Sequence, residues 1–185
     1  MRLLVWDDGK SSAWSGSRRL LRWRSGKRLD ALGLPRRFTA QQLLERAREH
    51  LGRDIYFAAV ELPPRAPSGL ALLPEGCVII VADARTTRWH RWHIWLHELM
   101  HLLWGHVGRP LSDPAPALRS LFGELPPEVL DRVLTRTGCS AQEEAAAEMM
   151  ASVAMRRISS WESPQAQQVP DEAREILRRF QSTLG

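Results

Sequence analysis

A helix-length segment between Thr86 and Gly105 constrains the fold most, because it is apolar on almost every side. Thr86 or Thr87 supplies an N-cap hydroxyl, and Gly105 follows a predicted helix end near Trp104. The apolar residues of the segment are Trp92, Ile94, Trp95, Leu96, Leu99, Leu102, Leu103 and Trp104. A helix that is hydrophobic all round must be buried, so the rest of the domain should pack around this one.

The same segment carries the string His-Glu-Leu-Met-His, from His97 to His101. Two histidines four residues apart project from one face of a helix and can share a metal, while Glu98 can reach a water on that metal. Buried imidazoles and a buried carboxylate also need polar partners. The pattern indicates a zinc-dependent hydrolase with Glu98 as its catalytic base. The alternative is a set of hydrogen-bonded core histidines without a metal.

A catalytic zinc site needs a third protein ligand besides His97 and His101. His106 is the nearest candidate, but the extended pattern with a third histidine requires that histidine at position 107, where the chain has Val107. We therefore interpret His106 as a polar residue just past the helix end, with a ligand role as the less favoured alternative. His93 precedes His97 by one turn on the same face, so it is either a helper in the site or a buried polar residue.

A second helix, predicted from Ser140 to about Arg157, offers glutamates. Ser140 and Glu143 have capping-box spacing, which indicates a structural role for Glu143. Glu144 and Glu148 lie four residues apart and share a face with small alanines, so this helix can approach the histidine helix closely. One glutamate can then bind zinc, while the other orients a ligand histidine from outside or stays solvated.

The remaining elements complete an α+β pattern with a small antiparallel sheet. We expect a helix over 17–30 and a second over 39–51, which begins with a Thr39–Gln42 capping box. A strand over 55–62 and a hairpin of 69–73 and 77–82 should follow. Two further predicted helices are a short one that begins at Pro126 and includes Val133 and Leu134, and a last one that begins at Asp171. The predicted architecture therefore packs this sheet with the histidine helix and further helices.

Length and composition predict one domain and an intracellular location. The 185 residues suffice for a single core, with residues 1–16 as a flexible N-terminus and 17–185 as the domain. Two distant cysteines are typical of a reduced compartment, and the N-terminus lacks a signal-peptide pattern. No apolar run approaches the ~20 residues that span a bilayer. We therefore expect a cytoplasmic protein without a membrane partner.

The excess positive charge lies in one segment. Residues 1–37 hold ten basic and three acidic residues, whereas the rest of the chain holds sixteen basic and eighteen acidic ones. Residues 17–28 mix arginines with Trp23, as nucleic-acid binders do. The favoured interpretation is an amphipathic helix with a solvated charged side, and direct nucleic-acid binding through residues 17–28 is the alternative.

The two motifs together resemble those of the ImmA/IrrE-type metallopeptidases, particularly the small actinobacterial members. His97-Glu-x-x-His101 is followed some forty residues later by Glu144-x-x-Ala147-x-x-Met150-Ala151, similar to the family pattern E-x-x-A-x-x-F-A. The likeness extends over about residues 18–158. Two departures are Met100, where the family usually has glycine, and Met150, where it often has phenylalanine.

The resemblance implies a zincin-like, gluzincin-like fold and a transcription-regulating protease. It implies one zinc ion per chain held by His97, His101 and Glu144, with Glu148 at a variable position and Glu98 passing a proton from water to the leaving amine. It also implies that the substrate is a helix-turn-helix repressor inside the cell. Because Met100 can narrow the cleft, the alternative is a weakly active or inactive regulatory module, binding DNA or a protein partner, with a structural zinc site.

Overall fold

A computed structural model describes residues 18–62, 66–74, 76–106, 133–134 and 139–160, and the four residues 174, 175, 177 and 178. Its elements are α1 (Arg18–Ala31), α2 (Ala40–Leu51), β1 (Asp54–Val60), β2 (Gly69–Leu72), β3 (Cys77–Asp83), α3 (Arg88–Leu103), β4 (Val133–Leu134) and α4 (Ala141–Arg157). The four residues near the C-terminus are helical, as predicted there. The predicted flexible segment 1–16 and the start of the helix at Pro126 lie outside the described residues.

The four strands form one mixed sheet in the order β1-β3-β2-β4. The predicted hairpin is confirmed, since β2 pairs antiparallel with β3. The prediction of an antiparallel sheet is wrong for β1, which pairs parallel with β3 from Asp54–Cys77 to Val60–Asp83. Strand β2 begins at the end of the sheet where β1 stops, and β3 runs antiparallel to β2, so β1 and β3 run in the same direction. Strand β3 is buried along Cys77–Ala82, as expected for a central strand paired on both sides.

The predicted helical assignment of Val133 and Leu134 is also wrong. These residues form β4 and pair antiparallel with Leu72 and Ala71 of β2. Helical spacing of apolar residues in so short a segment does not exclude a strand. Pairing with β2 satisfies backbone groups that an edge strand would otherwise present to solvent, and that long-range contact is absent from the local pattern.

The predicted helix starts are confirmed by their hydrogen bonds. Thr39 and Gln42 form a capping box at α2, which ends at Gly52 with a left-handed φ of 64°. Thr87, rather than Thr86, caps α3 by accepting a hydrogen bond from the backbone N–H of His90. Satisfying these first backbone N–H groups fixes where each helix begins.

Helix α3 is the buried centre of the domain, as its composition predicts. It packs against β2 and β3 and against α4, which in turn packs against α1. Trp95 stacks on Phe57 of β1 with ring centroids 5.0 Å apart and donates its indole N–H to the carbonyl of Ala58 at 3.1 Å. This anchor holds the N-terminal half of α3 against the sheet. None of the helices in the described residues is long and apolar enough to cross a membrane.

Candidate metal centre

Three predicted ligands lie together where α3 meets the first turn of α4. The Nε2 atoms of His97 and His101 are 2.9 Å apart. One carboxylate oxygen of Glu144 lies 3.4 Å from Nε2 of His97, and the other lies 3.6 Å from Nε2 of His101. Both imidazoles are buried, and all three residues offer a ligand atom within 4.8 Å of the others. The structure therefore places Glu144 beside the two histidine nitrogens.

The donor set fits zinc. Two imidazole nitrogens and a carboxylate oxygen are standard zinc ligands, and tetrahedral zinc separates such atoms by about 3.3 Å. The observed separations of 2.9 to 3.6 Å bracket that value. Only one proton can lie between the two Nε2 atoms, whereas a cation would accept the lone pairs of both. The Glu144 side chain is 34% exposed, whereas its oxygen nearest Nε2 of His101 is buried.

Glu148 lies near Nδ1 of His97, on the side of the ring away from the candidate ligand atoms. Its carboxylate is 3.4 Å from Nδ1 of His97, and both of its oxygens are 3.0 Å from Nε2 of His93. His93 and His97 are one turn apart on α3, so Glu148 of α4 bridges two successive turns of the neighbouring helix. The structure thus separates the two glutamates: Glu144 faces the candidate metal position, and Glu148 faces the outer edge of a ligand ring.

His106 and Cys139 lie beside His101. His106 follows the end of α3, as predicted, and its ring centroid lies 5.3 Å from that of His101. It does not belong to the group of candidate ligands found among the described residues. The sulfur of Cys139 lies 3.6 Å from Nδ1 of His101. Sequence reasoning assigned Cys139 no role, although its place just before the Ser140 cap puts it at the start of the glutamate helix.

Glu143 forms the predicted capping box instead of joining the metal cluster. Its carboxylate accepts hydrogen bonds from the backbone N–H of Ser140 at 2.7 Å and from the Ser140 hydroxyl at 2.9 Å. These bonds favour the charged form and lower the pKa of Glu143. The cap fixes the first turn of α4, and Glu144 follows it toward the histidines.

Glu98 is buried between the histidine helix and the sheet. A Cβ atom placed on Gly69, the first residue of β2, would lie 3.0 Å from a carboxylate oxygen of Glu98 and 2.3 Å from a methyl carbon of Ile94. The backbone of β2 therefore approaches α3 too closely for any side chain at position 69. Sequence reasoning treated Gly69 only as the start of a strand. A glycine inside a strand pattern is the signal of close backbone approach that was available.

The contact predicts that Gly69→Ala destabilises the protein by about 1–3 kcal/mol, because Ile94 and Glu98 must shift to admit the methyl group. Denaturant unfolding measures this difference. Ser68→Ala, at the exposed neighbouring position, is the matched control and should unfold like the wild type. Equal stability of Gly69→Ala and Ser68→Ala would show that β2 and α3 are not in close contact.

Comparisons with models of protein families, with curated proteins and with solved structures found no match to this chain. The resemblance to ImmA/IrrE-type metallopeptidases therefore stays a prediction from two motifs. The structure shows an α+β fold in which His97, His101 and Glu144 could hold a metal ion.

Proposed function

We propose that this protein is a zinc-dependent endopeptidase with a zincin-like fold, acting in the cytoplasm on a helix-turn-helix repressor. The observation that carries the proposal is the convergence of His97, His101 and Glu144 from two helices, with Glu98 buried on the helix that carries both histidines. A site that only binds a metal ion would need no more than His97, His101 and Glu144. Hydrolysis by this motif also requires the glutamate that follows the first histidine, which is Glu98 here.

The chemistry divides among the residues of the site. Zinc in a site of this type supplies Lewis acidity, which activates water and polarises a carbonyl group. The Glu98 carboxylate is proposed to accept a proton from the attacking water and to deliver it to the leaving amine. Its burial against β2 restricts its rotamers, so the proton acceptor is held in place before substrate binds.

The histidine ligands are oriented from outside. The Glu148 carboxylate lies 3.4 Å from Nδ1 of His97, and its negative charge favours the proton on that nitrogen, which leaves the Nε2 lone pair available for a metal. His93 contacts both oxygens of Glu148 and so restrains the carboxylate. We propose that Glu148 and His93 position His97 and that neither is a ligand.

Metal removal tests the proposal. We expect the purified protein to contain about one zinc ion per chain by elemental analysis, as three protein ligands imply. Removing it with a chelator should abolish hydrolysis of a labelled unstructured protein and of a helix-turn-helix repressor encoded near this chain. Adding back one equivalent of zinc should restore both activities. Circular dichroism of the stripped protein checks that the fold survives.

Other outcomes point away from the proposal. Hydrolysis that survives complete removal of metal would contradict a metallopeptidase. A protein that retains one zinc ion but cleaves neither substrate would favour the alternative function, a regulatory module with a structural zinc site.

A further inference from the structure

The outward side of α1 combines exposed cations with exposed large hydrophobic residues. Its inward side packs Leu29, Ser25 and Gly26 into the domain. The outward residues, here called the α1 outer face, are Arg19, Leu20, Trp23, Arg24 and Lys27, and all are exposed. Trp23 is 60% exposed, and it stands one helical turn from both Arg19 and Lys27. The face therefore holds an aromatic ring flanked by cations.

Within the described part of the chain, the cations of this face are not paired with carboxylates. Asp30, the acidic residue of α1, lies 2.7 Å from Arg157 of α4 and is thereby paired. Among the described residues, no carboxylate forms an ion pair with Arg19, Arg24 or Lys27.

A solvated charged side accounts for the arginines but gives no reason for the tryptophan. Two of the three large hydrophobic residues that are exposed in the described part of the chain, Leu20 and Trp23, lie on this one face. An exposed aromatic ring between cations is the combination with which proteins bind single-stranded nucleic acid, since the cations contact phosphates and the ring stacks on a base. An acidic peptide could neutralise the charge but offers no base to stack on Trp23.

We propose that the α1 outer face binds single-stranded nucleic acid, with Arg19, Arg24 and Lys27 on successive phosphates and Trp23 stacked on a base. A single strand is favoured over a duplex because duplex bases are already stacked and cannot present their faces to Trp23. The proposal is independent of the zinc chemistry, since no residue of the face belongs to the candidate metal centre.

Fluorescence anisotropy of the full chain with a labelled oligothymidylate of about 20 nucleotides tests the proposal. We expect binding whose affinity falls with salt, with a log–log slope of about −2 for three phosphate contacts on a single strand. Trp23→Ala should weaken binding by about 5- to 100-fold through lost stacking. Trp89→Ala, which removes a similarly exposed tryptophan from α3, is the matched control and should bind like the wild type.

Charge variants separate the cation contacts from stacking. Replacing Arg19, Arg24 and Lys27 together with glutamine should remove the salt dependence. Arg53→Gln, at an exposed position between α2 and β1, should leave it unchanged. Circular dichroism should show that all variants are folded, which the exposure of the substituted side chains favours.

Four results would overturn the proposal. They are the absence of binding at about 50 mM salt, equal binding of wild type and Trp23→Ala, stronger binding of a duplex of the same length, and competition by poly-glutamate as effective as that by unlabelled oligothymidylate. The last result would identify an acidic protein as the partner. Binding should persist in zinc-stripped protein, so loss of peptidase activity and loss of this interaction are distinguishable.

Discussion

Replacing Glu98 with glutamine should lower kcat for peptide hydrolysis by about 10²- to 10⁴-fold, the usual contribution of a positioned general base. Glutamine keeps the size of the side chain, which matters because Glu98 is buried in close contact with the backbone of β2. It cannot accept a proton at neutral pH. The zinc content should stay at that of the wild type, because Glu98 is not among the three converging ligands. Steady-state kinetics and elemental analysis on the same preparation measure both effects.

Glu143→Gln is the matched control for Glu98→Gln. It makes the same chemical change beside the site, and glutamine is a good residue at the N3 position of a capping box. We expect near wild-type activity from this variant. Unchanged hydrolysis by Glu98→Gln with full zinc content would show that Glu98 is not the base. Loss of zinc from Glu98→Gln would show instead that Glu98 helps to hold the metal.

Glu144→Gln should weaken zinc binding by more than about 100-fold, because it replaces a charged oxygen ligand with a neutral amide oxygen beside Nε2 of both histidines. Glu148→Gln should weaken zinc binding by only about tenfold, which is at the lower end of the losses seen when a residue that contacts a ligand histidine, but not the metal, is replaced. Competition with a chelating dye measures the two affinities. Absorption spectra of the cobalt-substituted proteins should show changed coordination for Glu144→Gln alone.

The order of these two effects decides which glutamate is the ligand. A larger loss for Glu148→Gln would make Glu148 the ligand and Glu144 the outer partner. Losses below twofold for both would contradict a metal site at this position.

The local part of the site could be predicted from the sequence. Residues four apart on a helix share a face whatever surrounds them, so the pairing of His97 and His101 needs no tertiary information. The capping box of Ser140 and Glu143 is equally local, and it correctly sets Glu143 apart from the ligands. The burial of α3 also follows from its composition alone.

The choice between Glu144 and Glu148 could not be made from spacing. Both occupy the same face of α4, and which of them meets the Nε2 atoms depends on how far α4 is shifted along α3. Ala147, Met150 and Ala151 are fully buried and set that shift by packing. Met100 is likewise fully buried in the hydrophobic core. Family resemblance pointed to Glu144, and the geometry agrees with it.

The sheet shows the same division between local and long-range information. The hairpin of β2 and β3 follows from two apolar runs joined by a short Pro-Glu-Gly connection. The parallel pairing of β1 with β3 and the pairing of β4 with β2 depend on the paths of longer connections. Such pairings bring together residues far apart in the chain, and apolar patterns in a strand do not specify its neighbour.

The sequence by itself thus determined the elements whose cause lies within one helical turn or one hairpin: the histidine pair, the caps and the buried central helix. Only the tertiary structure decided which carboxylate faces the histidines, that Glu148 contacts both His93 and His97, that Cys139 lies beside His101, and that Gly69 lets the backbone of β2 approach Glu98. The physical reason is that these contacts join separate elements. Their distances are set by how side chains of different elements fill the same core.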